Sequence, residues 1–594
     1  MTRSEAPVTT SYKLSPSSVG EQPATVASAL RRLVPLMADE RRTVTQALVA
    51  VVITSATSLL TPVIISHTID TYIQNRNFTG VLQFSAILLA IYVVGLFSTY
   101  FQTQRMGTVG RRVLFKLRNA LFTKLQQLPL DFFNQNKAGD LISRINNDTD
   151  KLNQFFAQAL VQLAGNVFLM GGAAIFLLAL NLRLGVAALT PALGVLILTR
   201  LISGWVRQRN VKSLQSLGGV SAEIQESLSN FKVIVAFNRR DYFRQKFNEA
   251  NQRNFAASVG AGLASNIFVP VYGLAFNLAQ LIVLSYGVYL IAAGGLTVGV
   301  LIGALLYVNS FYFPLRQLAA MWAQFQLALA GLDRISAVLA LESNMPIITA
   351  APGRPGPVLE FEHVSFNYPG GAGVLTDSTF ALERGKTYAL VGPTGGGKTT
   401  TASLMARLYD PIGGRVLLDG RDIRSYQPEE RTKKVGFILQ EPFLFTGTIR
   451  DNVLYGNAPY QSYSNDQIVA LLTEKNLAGL LARFEHGLDT KVTAVGDAVS
   501  LGQKQLIAFM RAVLRDPEIL VLDEATANID TVTEQLLEQI LAKLPASTTK
   551  VIIAHRLNTI ANADEIFFIN AGEIIPAGSM EHALDMLLHG KRAS

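Results

Sequence analysis

Residues 388–401, YALVGPTGGGKTTT, combine glycines, a lysine and threonines at a spacing that suits the binding of phosphate groups. A short apolar strand leads into the glycines, and the residues after them have the apolar spacing of a helix. Glycines allow several backbone N–H groups to point at one anion, Lys398 adds a positive charge, and Thr399 is the expected magnesium ligand. The loop residues that we expect to contact a nucleotide are Gly392, Pro393, Thr394, Gly395, Gly396, Gly397, Lys398, Thr399 and Thr400.

Two other apolar strand patterns end in residues that could act on a bound phosphate. Residues 519–522 precede Asp523 and Glu524, and residues 551–554 precede His555. Because ligands of α/β sheets bind at the carboxyl ends of strands, we expect Asp523 near the magnesium and Glu524 near the attacking water. His555 is expected to touch the terminal phosphate. The predicted catalytic residues are Glu524, His555 and Lys398.

Tyr368 and Gln440 complete the predicted site. Tyr368, in VSFNYPGG, could stack its ring on an adenine base. Gln440 ends an apolar strand in FILQEPFLF, and its side-chain oxygen can bind magnesium and sense the terminal phosphate. The predicted metal ligands are therefore Thr399, Gln440 and Asp523.

The composition of the 594 residues favours a membrane protein. Hydrophobic residues make up 49% and charged residues only 16%, against about 25% charged in typical soluble domains. The absence of cysteine excludes disulfides, a thiolate nucleophile and cysteine-bound zinc. The net charge of +9 could indicate nucleic acid as a partner, but the distribution of the positive charges argues against that and for a lipid bilayer.

Long windows without a charged residue predict six transmembrane helices. Four of the five windows provide at least the roughly 20 residues that cross about 30 Å of hydrocarbon, and the last one is long enough for two spans with a break near residues 293–295. The fourth window can continue past Arg200 to residue 206. The windows are residues 43–69, 77–104, 152–182, 184–199 and 254–315.

The connections between the spans predict the orientation. The two long connections, residues 105–151 and 207–253, are rich in Lys and Arg, whereas the three short ones contain only Arg76 and Arg183 as basic residues. Positive charge concentrates on the cytoplasmic side of membrane proteins, so the long connections and both termini are expected in the cytoplasm.

Changes in composition divide the chain into four parts. We expect a flexible tail at residues 1–28, a transmembrane domain at 29–330 and a Pro- and Gly-rich linker at 331–357. Residues 358–594 alternate strand and helix patterns and predict an α/β domain with a mostly parallel sheet. The predicted fold is thus an α-helical membrane bundle followed by an α/β nucleotide-binding domain.

Taken together, these motifs resemble those of the ATP-binding cassette (ABC) transporters, in particular the exporter-fold half-transporters, over about residues 30–590. The resemblance implies that ATP and Mg²⁺ are the cofactors and that a second half-transporter subunit is the partner. It further implies a role for each motif: Tyr368 in the A-loop, residues 392–399 in Walker A, Gln440 in the Q-loop, Asp523 and Glu524 in Walker B, Asp530 in the D-loop, and His555 as the switch histidine.

The long basic connections resemble the intracellular loops of the family. LDFFNQNKAGDLISRINND, residues 130–148, is similar to the first loop with its coupling helix, and FKVIVAFNRRDYFRQKF, residues 231–247, is similar to the second. In the family these short helices dock on the cassettes, and the second docks on the cassette of the partner subunit.

One motif departs from the family pattern. Where the family has LSGGQ, this chain has Val499, Ser500, Leu501, Gly502 and Gln503. By resemblance, Ser500, Gly502 and Gln503 would cap the phosphate bound on the opposite subunit. Leucine in place of the first glycine should hinder the close approach of the backbone to that phosphate.

An altered signature beside an intact Glu524 predicts one half of a heterodimeric exporter with two unequal ATP sites. The expected partner carries an intact LSGGQ and lacks the Walker B glutamate. A homodimer with two slow sites, an importer that uses the exporter fold for siderophore-type uptake, and an ATP-gated channel remain alternatives.

The expected cargo is a hydrophobic or amphipathic drug, lipid or peptide, moved outward across a bacterial plasma membrane by alternating access. An aromatic, nearly uncharged wall in the last two spans suits such a cargo. The residues predicted to form this wall are Phe268, Tyr272, Phe276, Tyr307, Phe311, Tyr312 and Phe313.

Overall fold

The computed structural model describes residues 12–14, 34–351, 353–369, 371, 373–493, 499–523, 531–553, 562–578 and 580–589. These residues form two compact units. The helical unit contains residues 34–126 and Gly139–Ala340, and the cassette unit contains residues 12–14, Gln127–Ala138 and the described residues from Leu341 onward.

Among the described residues, six helical stretches are long and apolar enough to cross a membrane, which confirms the predicted number of spans. They are Pro35–Ile73, Phe78–Gln127, Ala138–Leu180, Leu182–Ser229, Arg240–Ala292 and Val298–Leu318. The predicted break between the last two spans is also present, because the helix ends at Ala292 and Gly294 takes a φ of +71°.

The helices up to the linker are α1 (Arg41–Thr68), α2 (Phe78–Gln127), α3 (Leu130–Gln135), α4 (Ala138–Ser143), α5 (Thr149–Gln154), α6 (Leu160–Leu180), α7 (Leu182–Ser229), α8 (Phe231–Ala236), α9 (Arg240–Asn266), α10 (Phe268–Ala292) and α11 (Val298–Leu339). A 3₁₀ helix, Val34–Glu40, precedes α1. The π-helical turns are Ile69–Ile73, Arg144–Asp148 and Phe155–Ala159.

The three tyrosines predicted to line a cavity are packing residues instead. Tyr272, Tyr307 and Tyr312 are buried. The hydroxyl of Tyr307 donates to the carbonyl of Leu59 in α1 at 2.6 Å, and that of Tyr312 donates to the carbonyl of Ala188 in α7 at 2.9 Å. A tyrosine that reaches a backbone carbonyl can be buried at low cost, so Tyr307 and Tyr312 join α11 to its neighbours. Phe313 is exposed, and its place in a cavity wall stays a prediction.

Helix α11 continues to Leu339, so the predicted linker start at residue 331 is wrong. Its last two turns keep an apolar face, with Leu332, Ile335 and Val338 buried. No proline or glycine occurs between Gly331 and Met345 to end the helix earlier.

Charged residues hold this end of α11 in the helical unit. The guanidinium of Arg334 forms ion pairs with Asp140 at 2.6 Å and with Asp148 at 3.1 Å. Asp140 also pairs with Arg144 at 2.9 Å, and Asp148 with Lys151 at 2.8 Å. The side chains of Arg144 and Asp148 are almost fully buried. Removal of one residue of this network would leave a buried charge without its partner, which is strongly destabilising.

The cassette unit contains two main sheets. The strands are β1 (Leu359–Asn367), β2 (Gly373–Leu382), β3 (Thr387–Val391), β4 (Gly413–Leu418), β5 (Arg421–Asp422), β6 (Val435–Ile438), β7 (Gly447–Thr448), β8 (Lys491–Val492), β9 (Ile519–Asp523), β10 (Thr549–Ile553), β11 (Glu565–Asn570) and β12 (Glu573–Pro576). One sheet has the order β2-β1-β4-β5, the other has the order β12-β11-β3-β10-β9-β6, and β7 pairs with β8.

The second sheet is parallel from β11 through β6, and only β12 is antiparallel to its neighbour. Its central strands β3 and β9 are mostly apolar and buried, as expected for a parallel sheet that is covered on both faces. The helices of this unit after the linker are α12 (Lys398–Met405), α13 (Pro428–Lys434), α14 (Ile449–Val453), α15 (Asn465–Glu474), α16 (Ala478–Leu481), α17 (Leu501–Val513), α18 (Thr531–Ala542) and α19 (Met580–His589).

Residues 12–14 have a fixed place in the cassette unit, although the sequence predicts a flexible tail over residues 1–28. Tyr12 is 1% exposed, and the backbone of Tyr12 and Leu14 is hydrogen-bonded to Gln135 and Asn136. The prediction is therefore wrong for these three residues. The composition of residues 1–28 does not indicate this contact, because it depends on the burial of a single tyrosine.

Replacing Asp148 by alanine should lower the free energy of unfolding of the helical unit by about 3 kcal/mol, because Arg334 and Lys151 lose their buried partner. A denaturant titration of the purified chain in detergent measures this. Asp241→Ala is the matched control, since the Asp241–Arg244 pair is exposed and should contribute less than about 1 kcal/mol. Equal effects of the two substitutions would contradict the assignment.

Candidate nucleotide-binding site

The parallel sheet brings the predicted site residues to one edge. The glycine loop follows β3, Asp523 ends β9, and Gln440 follows β6 by two residues. Because β3, β10, β9 and β6 are parallel neighbours, their carboxyl ends lie on the same side of the sheet. This is the position at which α/β sheets bind ligands.

The backbone of the phosphate loop depends on glycine at two positions. A Cβ atom on Gly392 would lie 2.0 Å from the carbonyl oxygen of Ile569 in β11, so no other residue fits without moving the sheet. Gly397 precedes α12 with a φ of +112°, which residues with a side chain rarely adopt. Pro393, Thr394 and Gly395 form the exposed tip of the loop.

Lys398 is the first residue of α12 and is 6% exposed. Its ammonium donates to the carbonyls of Gly392 and Pro393 at 2.9 and 3.0 Å, which fixes it across the loop. A helix N-terminus and a lysine at the same place attract negative charge. The arrangement is therefore suited to hold phosphate groups, with Gly396 packed inside the loop and Thr400 buried behind it.

Thr399 and Asp523 lie together. The hydroxyl of Thr399 donates to Oδ1 of Asp523 at 3.3 Å, and the Asp523 side chain is 2% exposed. A hydroxyl and a carboxylate are oxygen ligands of the kind that Mg²⁺ prefers. The residues present therefore fit a magnesium ion, and Gln440 at the neighbouring strand end could supply a further oxygen.

Tyr368 lies just after β1 and is half-buried. Its hydroxyl is 3.0 Å from the hydroxyl of Thr400, and its ring packs edge-on against Tyr409 with a centroid distance of 5.4 Å. These contacts place an aromatic ring beside the phosphate loop, as stacking on an adenine base would require.

Sequence reasoning missed Tyr409 and the carbonyl of Ile569. Tyr409 follows the end of α12, is 7% exposed, and accepts a hydrogen bond from the side chain of Asn134 at 2.8 Å. Burial raises the pKa of its hydroxyl to about 12, so the hydroxyl stays protonated at neutral pH. An apolar helix pattern that ends in an aromatic residue was the only signal available for Tyr409.

The signature residues stand at the start of α17. Ser500 caps the helix: its hydroxyl accepts from the N–H of Gln503 at 3.2 Å, while Oε1 of Gln503 accepts from the N–H of Ser500 at 2.9 Å. Leu501 is the first helical residue and is 40% exposed. Gly502 is the second helical residue. The motif therefore forms a capped helix N-terminus, and the side chain of Leu501 lies beside the cap.

Glu524, Asp530 and His555 lie outside the described residues, so their roles stay predictions from the sequence. The described strands end close to two of these residues in the sequence. β9 ends at Asp523, directly before Glu524, and β10 ends at Ile553, two residues before His555.

Comparison with known proteins agrees with the two units. The family model of the ABC transporter transmembrane region matches residues 44–315, and the model of the ABC transporter cassette matches residues 375–527. Among the relatives, "Uncharacterized ABC transporter ATP-binding protein YfiC" of Bacillus subtilis (strain 168) is 34% identical over 570 residues, which cover 93% of this chain and 92% of YfiC.

Two further relatives match over most of their length. A "Fatty acid ABC transporter ATP-binding/permease protein" of Mycobacterium bovis is 32% identical over 513 residues, or 85% of this chain and 80% of the relative. "Uncharacterized ABC transporter ATP-binding protein YknV" of Bacillus subtilis is 30% identical over 564 residues, or 93% of this chain and 92% of YknV.

Substituting Gly392 by alanine should weaken ATP binding about tenfold or more, because the added Cβ atom forces the loop away from Ile569. Titration with a fluorescent ATP analogue measures the dissociation constant. Gly413→Ala is the matched control, since its Cβ atom would make only an ordinary contact at 3.6 Å. Unchanged affinity of the Gly392 variant would remove the loop geometry as the basis of the site.

Proposed function

The chain belongs to the ABC transporters of the exporter type, and from this membership we propose that it is one half of a heterodimer that drives an apolar or amphipathic compound outward across a membrane with ATP. Membership of the family implies ATP binding, ATP hydrolysis coupled to transport, and a multi-pass location in the membrane. The subunit composition, the cargo and the direction are the parts that we propose.

The signature carries the proposal of a heterodimer. In the family, the helix N-terminus after this motif approaches the terminal phosphate held by the opposite subunit. Leu501 occupies the first helical position of α17, and its side chain is exposed beside the cap formed by Ser500 and Gln503. A side chain there takes the space that a glycine leaves for a phosphate. The site capped by this chain is therefore expected to bind ATP and to turn over slowly.

The other half of the machinery is complete in this chain. Lys398 would neutralise the phosphates, Thr399 and Asp523 would hold Mg²⁺, and Tyr368 would stack on adenine. When bound, Mg²⁺ neutralises the charge that develops on the transferred phosphoryl group. Glu524 would orient the attacking water and His555 would contact the terminal phosphate. We propose that an intact signature from the partner completes this site.

Two exposed apolar surfaces support an obligatory partner. On the helical unit, the second coupling helix α8 and the residue after it expose Phe231, Val233, Val235 and Phe237. On the cassette unit, Leu439, Phe443, Phe445 and Tyr455 are exposed around one groove. Contiguous apolar patches of this kind mark protein–protein contacts. In the proposed dimer, each subunit covers the groove of the other with its second coupling helix.

An acyl-chain compound is the first candidate for the cargo. The spans are apolar, and Phe313 in α11 is exposed, as a residue facing a cavity would be. The relative from Mycobacterium bovis is named a fatty acid transporter. We therefore propose lipids such as fatty acids before drugs or peptides, with both termini and the cassette in the cytoplasm of a bacterium.

Purified alone, the chain should hydrolyse ATP at least about tenfold more slowly than the same chain with its partner, since Leu501 would then cap both sites. The measurement is phosphate release in nanodiscs. Leu501→Gly in the lone chain should raise the rate. Brisk and cooperative turnover by the unmodified lone chain would refute the heterodimer, and an unchanged rate in the Leu501 variant would refute the steric argument.

Exchanging Glu524 for glutamine should lower ATP turnover of the complete complex by about 100-fold or more while ATP stays bound, because the attacking water loses its base but the phosphate contacts remain. Retention of radiolabelled ATP after gel filtration measures the trapped nucleotide. Glu485→Gln, at an exposed position of the same unit, is the control and should behave as the unmodified chain. Normal turnover by the Glu524 variant would remove Glu524 from its proposed role.

A further inference from the structure

Residues 12–14 are bound in a site that α3 helps to build, and α3 opens the segment that resembles the family's first intracellular loop with its coupling helix. Asn136, next to the end of α3, donates its side-chain amide to the carbonyl of Tyr12 at 2.9 Å and accepts from the N–H of Leu14 at 3.0 Å. One amide thus satisfies the backbone on both sides of Lys13, as a neighbouring β-strand would. The N–H of Tyr12 donates to Oε1 of Gln135 at 3.0 Å.

The side chain of Tyr12 anchors the segment. It is 1% exposed and packs edge-on against Phe132 of α3, with the ring centroids 6.4 Å apart. Its hydroxyl donates to the carbonyl of Glu342 at 2.8 Å and accepts from the N–H of Asn344 at 2.7 Å. Burial raises the pKa of this hydroxyl, so it keeps the proton that it donates. One side chain therefore joins α3 to the residues that follow α11.

Helix α3 is also connected to the nucleotide site. The side chain of Asn134 donates to the hydroxyl of Tyr409 at 2.8 Å, and Tyr409 packs edge-on against Tyr368. The hydroxyl of Tyr368 lies 3.0 Å from that of Thr400 in α12. The same short helix that Tyr12 holds is thus connected, through Tyr409, to the Tyr368 ring that is expected to lie on adenine.

We infer that Tyr12 is a positioning residue and that residues 12–14 form a strap, held by five hydrogen bonds. The strap keeps α3 in its position on the cassette while ATP binds. The inference rests on the proposed function and adds to it that cassette movement reaches the spans through α3. Three residues of extended chain bury little surface, so their position depends on the tyrosine and on the amide of Asn136.

The geometry explains why the strap is required. Helix α3 has only six residues, which is too few for a stable helix without tertiary contacts. Its own apolar contribution to the core is Phe132, which is fully buried and touches Tyr12. Without the strap, Phe132 loses packing and the side-chain amides of Gln135 and Asn136 lose hydrogen-bond partners, so that α3 can move without the cassette.

The test compares Tyr12→Ala, Tyr12→Phe and Asn136→Ala in the full chain in nanodiscs, with Lys13→Ala as the matched control because the Lys13 side chain is exposed. Amide hydrogen exchange of residues 130–136 reports on the position of α3. We expect exchange about tenfold faster or more in Tyr12→Ala and Asn136→Ala, an intermediate value in Tyr12→Phe, and no change in Lys13→Ala.

A second readout measures coupling to the spans without knowledge of the cargo. The chain contains no cysteine, so Phe313→Cys provides a single label site on α11. In the complex with the partner subunit, with Glu524→Gln in this chain, ATP should change the rate of maleimide labelling at this position, and Tyr12→Ala should reduce that ATP-dependent change by about threefold or more. ATP affinity should stay within about twofold in all strap variants, because Tyr12 does not touch the phosphate loop.

The outcomes separate this inference from the proposed function. Unchanged exchange in residues 130–136, or a full labelling response to ATP in Tyr12→Ala, would overturn the strap. An absent labelling response in the parent with Tyr12 intact would instead contradict the proposed function, and the exchange comparison would still decide whether the strap holds α3. Equal effects of Lys13→Ala and Tyr12→Ala would also overturn the assignment to Tyr12.

Discussion

The close approach of the β3–α12 loop to the carbonyl of Ile569 is the constraint on which the nucleotide site depends. At 2.0 Å from that oxygen there is no space for a side chain on Gly392, so the loop keeps its shape only with glycine. The shape in turn sets Lys398 across the loop and Thr399 against Asp523. Phosphoryl transfer depends on position and charge more than on covalent chemistry. The activity of the site therefore depends on this packing contact.

Aromatic residues extend the influence of this loop. Tyr368 contacts Thr400 through its hydroxyl and Tyr409 through its ring, and Tyr409 accepts a hydrogen bond from Asn134 in α3. This series of direct contacts connects the phosphate loop to α3, and it would link a nucleotide stacked on Tyr368 to that helix. The strap at Tyr12 gives α3 a second attachment, so that its position depends on both contacts.

The helical unit uses a different kind of attachment. Tyrosine hydroxyls of α11 bond to backbone carbonyls of α1 and α7, and each of those helices contains a proline, Pro62 or Pro191. At its last turns, α11 is held by Arg334 between Asp140 and Asp148. Polar contacts thus fix α11 at several levels, whereas the exposed apolar surfaces of α8 and of the cassette groove are where we propose that a partner binds.

The sequence by itself determined the six spans, the α/β class and the motifs at the ends of β3, β6 and β9. These depend on local properties, because uncharged windows, strand runs and glycine spacing act within about 20 residues. Only the tertiary structure decided the roles of Tyr12, Tyr307, Tyr312 and Tyr409. A tyrosine reads the same in a sequence whether it lines a cavity, joins two helices or anchors a strap. Its role follows from which distant carbonyl or amide its hydroxyl reaches, as with Glu342 and Leu59, and no local pattern encodes that distance.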